Sequence, residues 1–178
     1  MTVLMFDASY PPTTAPHGYS VVAGYIGGHT PHVWTNAEWA RFDGLRKLPI
    51  WVPGPAVGVT EDAINDGFAI LDAVYRLKVP KGSPIVLDME TSVAASFDTA
   101  LEDVLVWAGY RPWVYGSLST IRGNPLYANF GGYWVADYTG VPHFTGIANE
   151  RACQYGSGNV YDSSEVKPWQ YENTLKSW

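Results

Sequence analysis

The chain has little cysteine, little basic charge and no long apolar run, and each shortage removes a class of explanation. A single cysteine, Cys153, in 178 residues excludes an internal disulfide, so packing alone must hold the fold. Flanked by Ala152 and Gln154, it reads as a small buried hydrophobe rather than a reactive thiol. Lysine and arginine total 11 against 17 acids, a formal charge of −6. Arg46-Lys47 is the nearest approach to a basic cluster, and a nucleic-acid partner needs clustered cations. No window approaches the roughly 20 apolar residues of a membrane span. The segment Met1–Asp7 lacks the basic start and long apolar core of a signal peptide, so the expectation is a protein made in the cytoplasm without membrane insertion. The four histidines do not show metal-ligand spacing. His29 and His32 are separated by two residues in a loop rich in Gly and Pro, which disfavours a metal-dependent phosphoesterase. His17 and His143 lie beside Pro or Gly and read as solvent-facing loop residues.

Aromatic and apolar residues are abundant. The composition is 47% hydrophobic and 15% aromatic, with 8 Trp and 12 Tyr. That is enough for one core in one domain spanning 1–178, and the surplus of rings suits a groove. A flat ring gives a sugar an apolar stacking face, while its polar tip reaches hydroxyl groups.

Short apolar runs recur between turn signals at 3–6, 21–26, 49–52, 84–87, 112–115, 133–136, 152–155 and 159–161, giving eight candidate strands. Helical periodicity separates the earlier ones. Residues 36–47 carry Ala37, Ala40 and Leu45; 60–77 carry Ala63, Ile64, Phe68, Leu71, Val74 and Tyr75 on one stripe, with Thr60 as N-cap. A third helix over 97–108 ends at Gly109, a suitable C-cap, and a short fourth follows Ser117. After Gly123 no amphipathic window of helical length appears. Alternating strands and helices followed by strands with short loops predict an α/β protein: one TIM-like (β/α) barrel, incomplete, with about five βα units and three further strands.

Within that pattern the segment Ile85-Val86-Leu87-Asp88-Met89-Glu90 is the most informative. An apolar strand runs into two carboxylates at i and i+2, which leave one face roughly 6.6 Å apart at Cα. Sugar hydrolysis uses such a pair, one carboxyl protonated and the other ionised. Asp7 ends the first candidate strand, Asp137 closes the sixth and Asp162 ends the last. In a parallel barrel these acids converge on the C-terminal rim, where active sites are built.

The chain resembles the glycoside hydrolase family 25 lysozymes of bacteria and phages and the related glycoside-hydrolase-like barrels. The resemblance rests on Phe6-Asp7-Ala8-Ser9, Gly24-Tyr25-Ile26-Gly27, Leu87-Asp88-Met89-Glu90, Val114-Tyr115-Gly116-Ser117, Tyr133-Trp134-Val135-Ala136-Asp137-Tyr138, Gln154-Tyr155 and Tyr161-Asp162. The segments around Gly24–Gly28, Trp39 and Leu48–Val52 look closer to the glycoside-hydrolase-like branch. What the resemblance implies is an incomplete barrel that needs no metal or organic cofactor. Glu90 would be the general acid, and Asp88 would orient the substrate's N-acetyl group. Asp7 and Asp162 would complete an acidic floor. Tyr25, Tyr115, Trp134, Asp137, Tyr138 and Gln154 would contact substrate, with Trp134 equally open to a barrel-filling role.

Two functional classes follow. One is a lysozyme-type glycosidase cutting β-1,4 bonds of the bacterial cell-wall glycan, as a phage endolysin or virion-associated lysin. The other is a weak or inactive glycan-binding barrel in a phage tail or other surface assembly, partnered by other virion proteins. The aromatic stretch Pro168–Glu172 and Trp178 would then dock on a partner, or else close the barrel bottom.

Overall fold

The computed structural model describes residues 2–54, 60–90, 95–124, 127 and 130–178. Eight strands alternate with helices: β1 (Val3–Asp7), β2 (Val21–Gly28), α1 (Asn36–Ala40), β3 (Arg46–Val52), α2 (Thr60–Arg76), β4 (Pro84–Asp88), α3 (Ala95–Trp107), β5 (Arg111–Ser117), α4 (Leu118–Gly123), β6 (Gly132–Ala136), β7 (Glu150–Gly156), β8 (Asp162–Val166) and α5 (Pro168–Asn173). Neighbouring strands pair in sequence order and β8 returns to β1, so the barrel is closed rather than incomplete. Strands β1 to β7 are parallel, and β8 is antiparallel to both β7 and β1. Among the described residues, α-helices follow β2 to β5, and α5 follows β8. The first crossover, 8–20, contains Pro11, Pro12 and Pro16 and forms no helix, since proline removes a backbone donor and clashes with the preceding turn.

Two expected elements move. The last strand is Asp162–Val166 rather than 159–161, so Asp162 begins it. The sequence Asp-Ser-Ser-Glu-Val offers almost no apolar signal, and hydrogen bonding to a strand on each side holds it in place instead. The first helix is one turn long, closed at its start by a capping box between Thr35 and Glu38. Arg46 and Lys47 belong to β3.

Period-two alternation sorts the strand side chains into two cores. Met5, Val21, Ala23, Leu48, Ile50, Val86, Trp113, Trp134, Ala152 and Val166 fill the barrel. Phe6, Val22, Ile85, Leu87, Val114 and Val135 face the helix layer. The buried face of α2 is Ala63, Ile70, Ala73 and Val74, with Leu77 buried just past its end, whereas Ile64, Phe68 and Tyr75 are exposed, which corrects the expected stripe. The reason lies at Gly67: a Cβ there would sit 2.7 Å from Val104 Cγ1. The helix turns its side-chain-free position toward α3, a contact that hydrophobic periodicity cannot register. Gly109, at φ +89°, terminates the α3 region as expected. Thr60, expected as the N-cap, is the first residue of α2; its side chain and those of Trp169 and Glu172 lie outside the described residues. Trp178 packs on Trp39 with ring centroids 4.9 Å apart, at the end of the barrel where Lys47 lies.

Candidate active site

Inward parity, carried one step beyond the packed interior, generates the site. On β1 the inward series Val3, Met5 continues to Asp7; on β4, Val86 continues to Asp88 and then Glu90; on β5, Trp113 continues to Tyr115; on β2, Val21 and Ala23 continue to Tyr25. The strand geometry persists past Asp88 because Met89 N–H donates to the Tyr115 carbonyl at 2.9 Å. Strand β8 runs the other way, so its first residue rather than its last reaches this rim, and Asp162 stands opposite Asp7 in the β1–β8 ladder. The misplaced strand therefore still delivers Asp162 to the predicted end of the barrel.

A cavity of about 180 Å³ results, lined by Asp7, Tyr25, Ile50, Asp88, Glu90, Tyr115, Trp134, Tyr138 and Asp162. A second hollow of about 320 Å³ shares Asp7, Tyr25 and Asp162 and adds Ser9, Tyr10 and the 158–161 loop. The two hollows adjoin at these shared residues. Asp7 is 7% exposed, and Oδ1 of both Asp7 and Asp88 is buried without a hydrogen-bond partner among the described residues. Asp162 is tied instead, accepting from Gly158 N–H at 3.1 Å. Glu90 is exposed at the mouth.

Crowding of carboxylates in a poorly solvated place raises their proton affinity. Burial, then the charges of Asp162 and Asp88, holds the Asp7 carboxyl well above the usual carboxylate range. Burial, then the charge of Glu90, pushes Asp88 up to about 7, against a partly opposing hydrogen bond from the Glu90 backbone. The same burial, reinforced by the surrounding acids, keeps the hydroxyls of Tyr25 and Tyr115 protonated. They can only act as hydrogen-bonding groups. The site thus holds a carboxyl that exchanges its proton near neutrality beside one that is open to solvent, with phenols around them.

The remaining expected residues divide. Tyr115 donates to the buried Gln154 Oε1, and its hydroxyl lies 3.3 Å from that of Tyr138, which is exposed. Gln154 is 1% exposed and is not among the cavity residues; it stands behind Tyr115 and orients it. Trp134 is 1% exposed, packs edge-on against Tyr115 and donates its indole N–H to Ser164 Oγ at 3.0 Å. It is the cavity's floor and also barrel filling. Asp137 is outside the cavity and meets His143 Nε2 at 3.0 Å. Tyr10, 61% exposed and stacked on His32 with ring centroids 5.0 Å apart, lines the second hollow and was missed by sequence reading. Its position three residues beyond Asp7 was the available signal.

The arrangement defines a class: an α/β barrel with an acidic, aromatic-lined cavity at the C-terminal ends of its strands. The sequence matches no family model and no curated protein, but solved structures share the fold. An uncharacterized protein of B. stearothermophilus superposes with a TM-score of 0.80 at 18% identity, covering 98% of this chain and 100% of that one. The catalytic domain of endolysin ply40 from bacteriophage P40 of Listeria monocytogenes gives 0.73 at 16% identity, with 94% of each chain covered. GHIP, a glycosyl hydrolase 25 of Streptococcus pneumoniae, gives 0.71 at 12% identity, covering 93% of this chain and 87% of that one. The fold is one that this endolysin catalytic domain and this glycosyl hydrolase share.

Proposed function

We propose that the protein is a glycosidase of the lysozyme type that hydrolyses β-1,4 bonds between amino sugars of the bacterial cell-wall glycan. The observation that carries this reading is the placement of Asp88 and Glu90 in one cavity with Asp7 and Asp162. A barrel that served only as scaffold would gain stability by pairing or replacing these groups; unpartnered buried carboxyl oxygens are costly and concentrate where chemistry is done. The fold shared with an endolysin catalytic domain and a glycosyl hydrolase 25 supports the same substrate class.

In this mechanism Glu90, at the open mouth, donates its proton to the leaving glycosidic oxygen. Asp88, deeper and ionised for the reaction, accepts from the N–H of the 2-acetamido group and so directs its carbonyl oxygen at the anomeric carbon as positive charge develops there. Asp7 and Asp162 supply negative potential beneath the ring. The phenols of Tyr25 and Tyr115 donate to the bound sugar, and Tyr138 offers its exposed face to a neighbouring ring. The mechanism routes no step through a metal or cofactor. A phage endolysin or virion-associated lysin is the biological setting we favour.

The test is release of reducing ends from purified peptidoglycan by the wild type and by Glu90→Gln, alongside sedimentation of each protein with the same cell walls. Loss of hydrolysis by about 10²–10⁴-fold with sedimentation retained is expected, the usual contribution of a general acid. Sedimentation without hydrolysis in the wild type would convert the reading to a glycan-recognition barrel.

A further inference from the structure

His143 lies outside the cavity, and its surroundings give it a role. Its Nε2 meets Asp137 Oδ2 at 3.0 Å. On the other side of the ring, Nδ1 lies 3.0 Å from the Val141 carbonyl and 2.9 Å from Thr139 Oγ1. The Thr139 hydroxyl also lies 3.1 Å from the Val141 carbonyl. Both ring nitrogens therefore face an oxygen that can only accept, the Asp137 carboxylate on one side and the Val141 carbonyl on the other. A neutral imidazole has one N–H and cannot satisfy both sides.

Between the two tethered residues stands Tyr138. Thr139 N–H donates back to the Asp137 carbonyl at 2.9 Å, so Tyr138 is the apex of a three-residue turn whose two flanks both bond to one imidazole. That apex carries the phenol which meets Tyr115 at the cavity. Gly140, in the same loop, borders the adjoining groove through its contact with Tyr155.

We propose that His143, as an imidazolium, is a positioning residue: it clamps the turn that presents Tyr138 to the cavity, so that the sugar-contacting edge formed by Tyr138 is set while the ring is protonated and released when the ring loses its proton. The sugar contact rests on the function proposed above; the clamp itself does not. The groups facing the ring are Asp137 from the loop and Glu150 and Cys153 from β7, with Glu165 on β8 next to Cys153. Cys153 Sγ lies 3.7 Å from Nε2 and remains a neutral thiol, pushed up to about 12 by burial and the nearby acids. Of the nearby cations among the described residues, Lys167 lies over the Phe144 ring at 5.3 Å from its centroid, and Arg151 on β7 donates to the Gly131 carbonyl. The hydrogen bond to Asp137, then that to the Val141 carbonyl, raises the His143 pKa above its ordinary value. The clamp is thus fully present below the ordinary histidine range and is lost as pH rises through the raised value.

Nuclear magnetic resonance of the full chain, with labelled histidine and tyrosine rings, tests this between pH 5 and 9. The Tyr138 ring signals should move with the His143 midpoint, and that inflection should vanish in His143→Gln, while any change driven by Asp88 near neutrality remains. Asp137→Asn should lower the His143 midpoint. A Tyr138 signal indifferent to the His143 midpoint, or an inflection that survives in His143→Gln, overturns the clamp. In parallel, a chitin tetrasaccharide is titrated into Glu90→Gln protein with and without His143→Gln. Titration of Asp88 contributes equally to both proteins, so the change in affinity from pH 6 to pH 8.5 should include a several-fold loss, roughly 1 kcal/mol, that is present with His143 and missing from His143→Gln. Equal pH dependence in both proteins removes the link from clamp to sugar. Absence of binding at every pH defeats the glycan reading, with the ring titration still deciding the clamp.

Discussion

The two ends of this barrel treat buried charge in opposite ways. At the N-terminal end of β3, Lys47 is 2% exposed and fully partnered: it donates to Asp43 at 2.9 Å and to the Trp178 carbonyl, and its ammonium lies 5.2 Å from the centre of the Trp178 ring. At the opposite rim Asp7 and Asp88 each keep a buried oxygen with no partner and repel other acids. A charge that only supports a fold is satisfied by it. A charge left unsatisfied at a cavity is held ready for something that is not part of the fold, and the fold is less stable for it.

The largest effect that can break this contrast comes from Asp88→Asn, which keeps shape and removes charge. Hydrolysis of peptidoglycan should fall about 10²-fold or more, because orientation of the reacting acetamido group is lost. If Asp88 acts ionised, the wild-type rate should climb through pH about 7 and the mutant should lack that rising limb, as read from initial rates across pH 5–9. A falling limb at the same pH would reverse the roles and make Asp88 the proton donor. A mutant of unchanged rate and unchanged pH profile would mean that Asp88 is not part of the machinery.

Stability should respond in the other direction. The folded-state pKa of Asp88 is raised to about 7, whereas an unfolded aspartate titrates near 3.9. Its contribution is therefore fully favourable below about pH 4, declines as pH rises from about 4 to about 7, and stays low above that. Asp88→Asn removes a cost on the order of a few kcal/mol at pH 8. That corresponds to a melting temperature higher by about 5–10 °C for a chain of this size. Calorimetry of both proteins from pH 4 to 8 should show the difference opening with pH. A mutant less stable than the wild type at pH 8 would show that the carboxylate is partnered after all.

This asymmetry explains what could be read from the sequence. Strands β1 to β7 announce themselves because the barrel buries both faces of a parallel strand, and Asp7, Asp88 and Glu90 stand out as charges at the ends of such runs. Strand β8 does not, since its inward positions are Asp162, Ser164 and Val166 and only pairing on both sides keeps it in the sheet. Asp162 was nonetheless legible as an acid near the chain's end. The family resemblance makes Gln154 a substrate residue, but depth, which the sequence does not give, puts it behind Tyr115. The Gly67 contact, the turn around Tyr138 and the His143 tether depend on loop geometry and on the absence of a side chain, neither of which leaves a hydrophobic period.

The smallest expected effects lie at the other end and test whether Lys47 is structural only. Lys47→Met should lower the melting temperature by a few degrees, about 1–2 kcal/mol, since the Trp178 carbonyl loses its donor and the indole its cation. Asp43→Ala should cost less, no more than about 1 kcal/mol, because Asp43 is 75% exposed and returns to water when unpaired. Neither should alter hydrolysis or its pH profile, as both residues lie away from the acidic rim. If Asp43→Ala proved as damaging as Lys47→Met, the ion pair itself would be holding Lys47 in its buried position, and the carbonyl and ring of Trp178 would be insufficient partners for the charge.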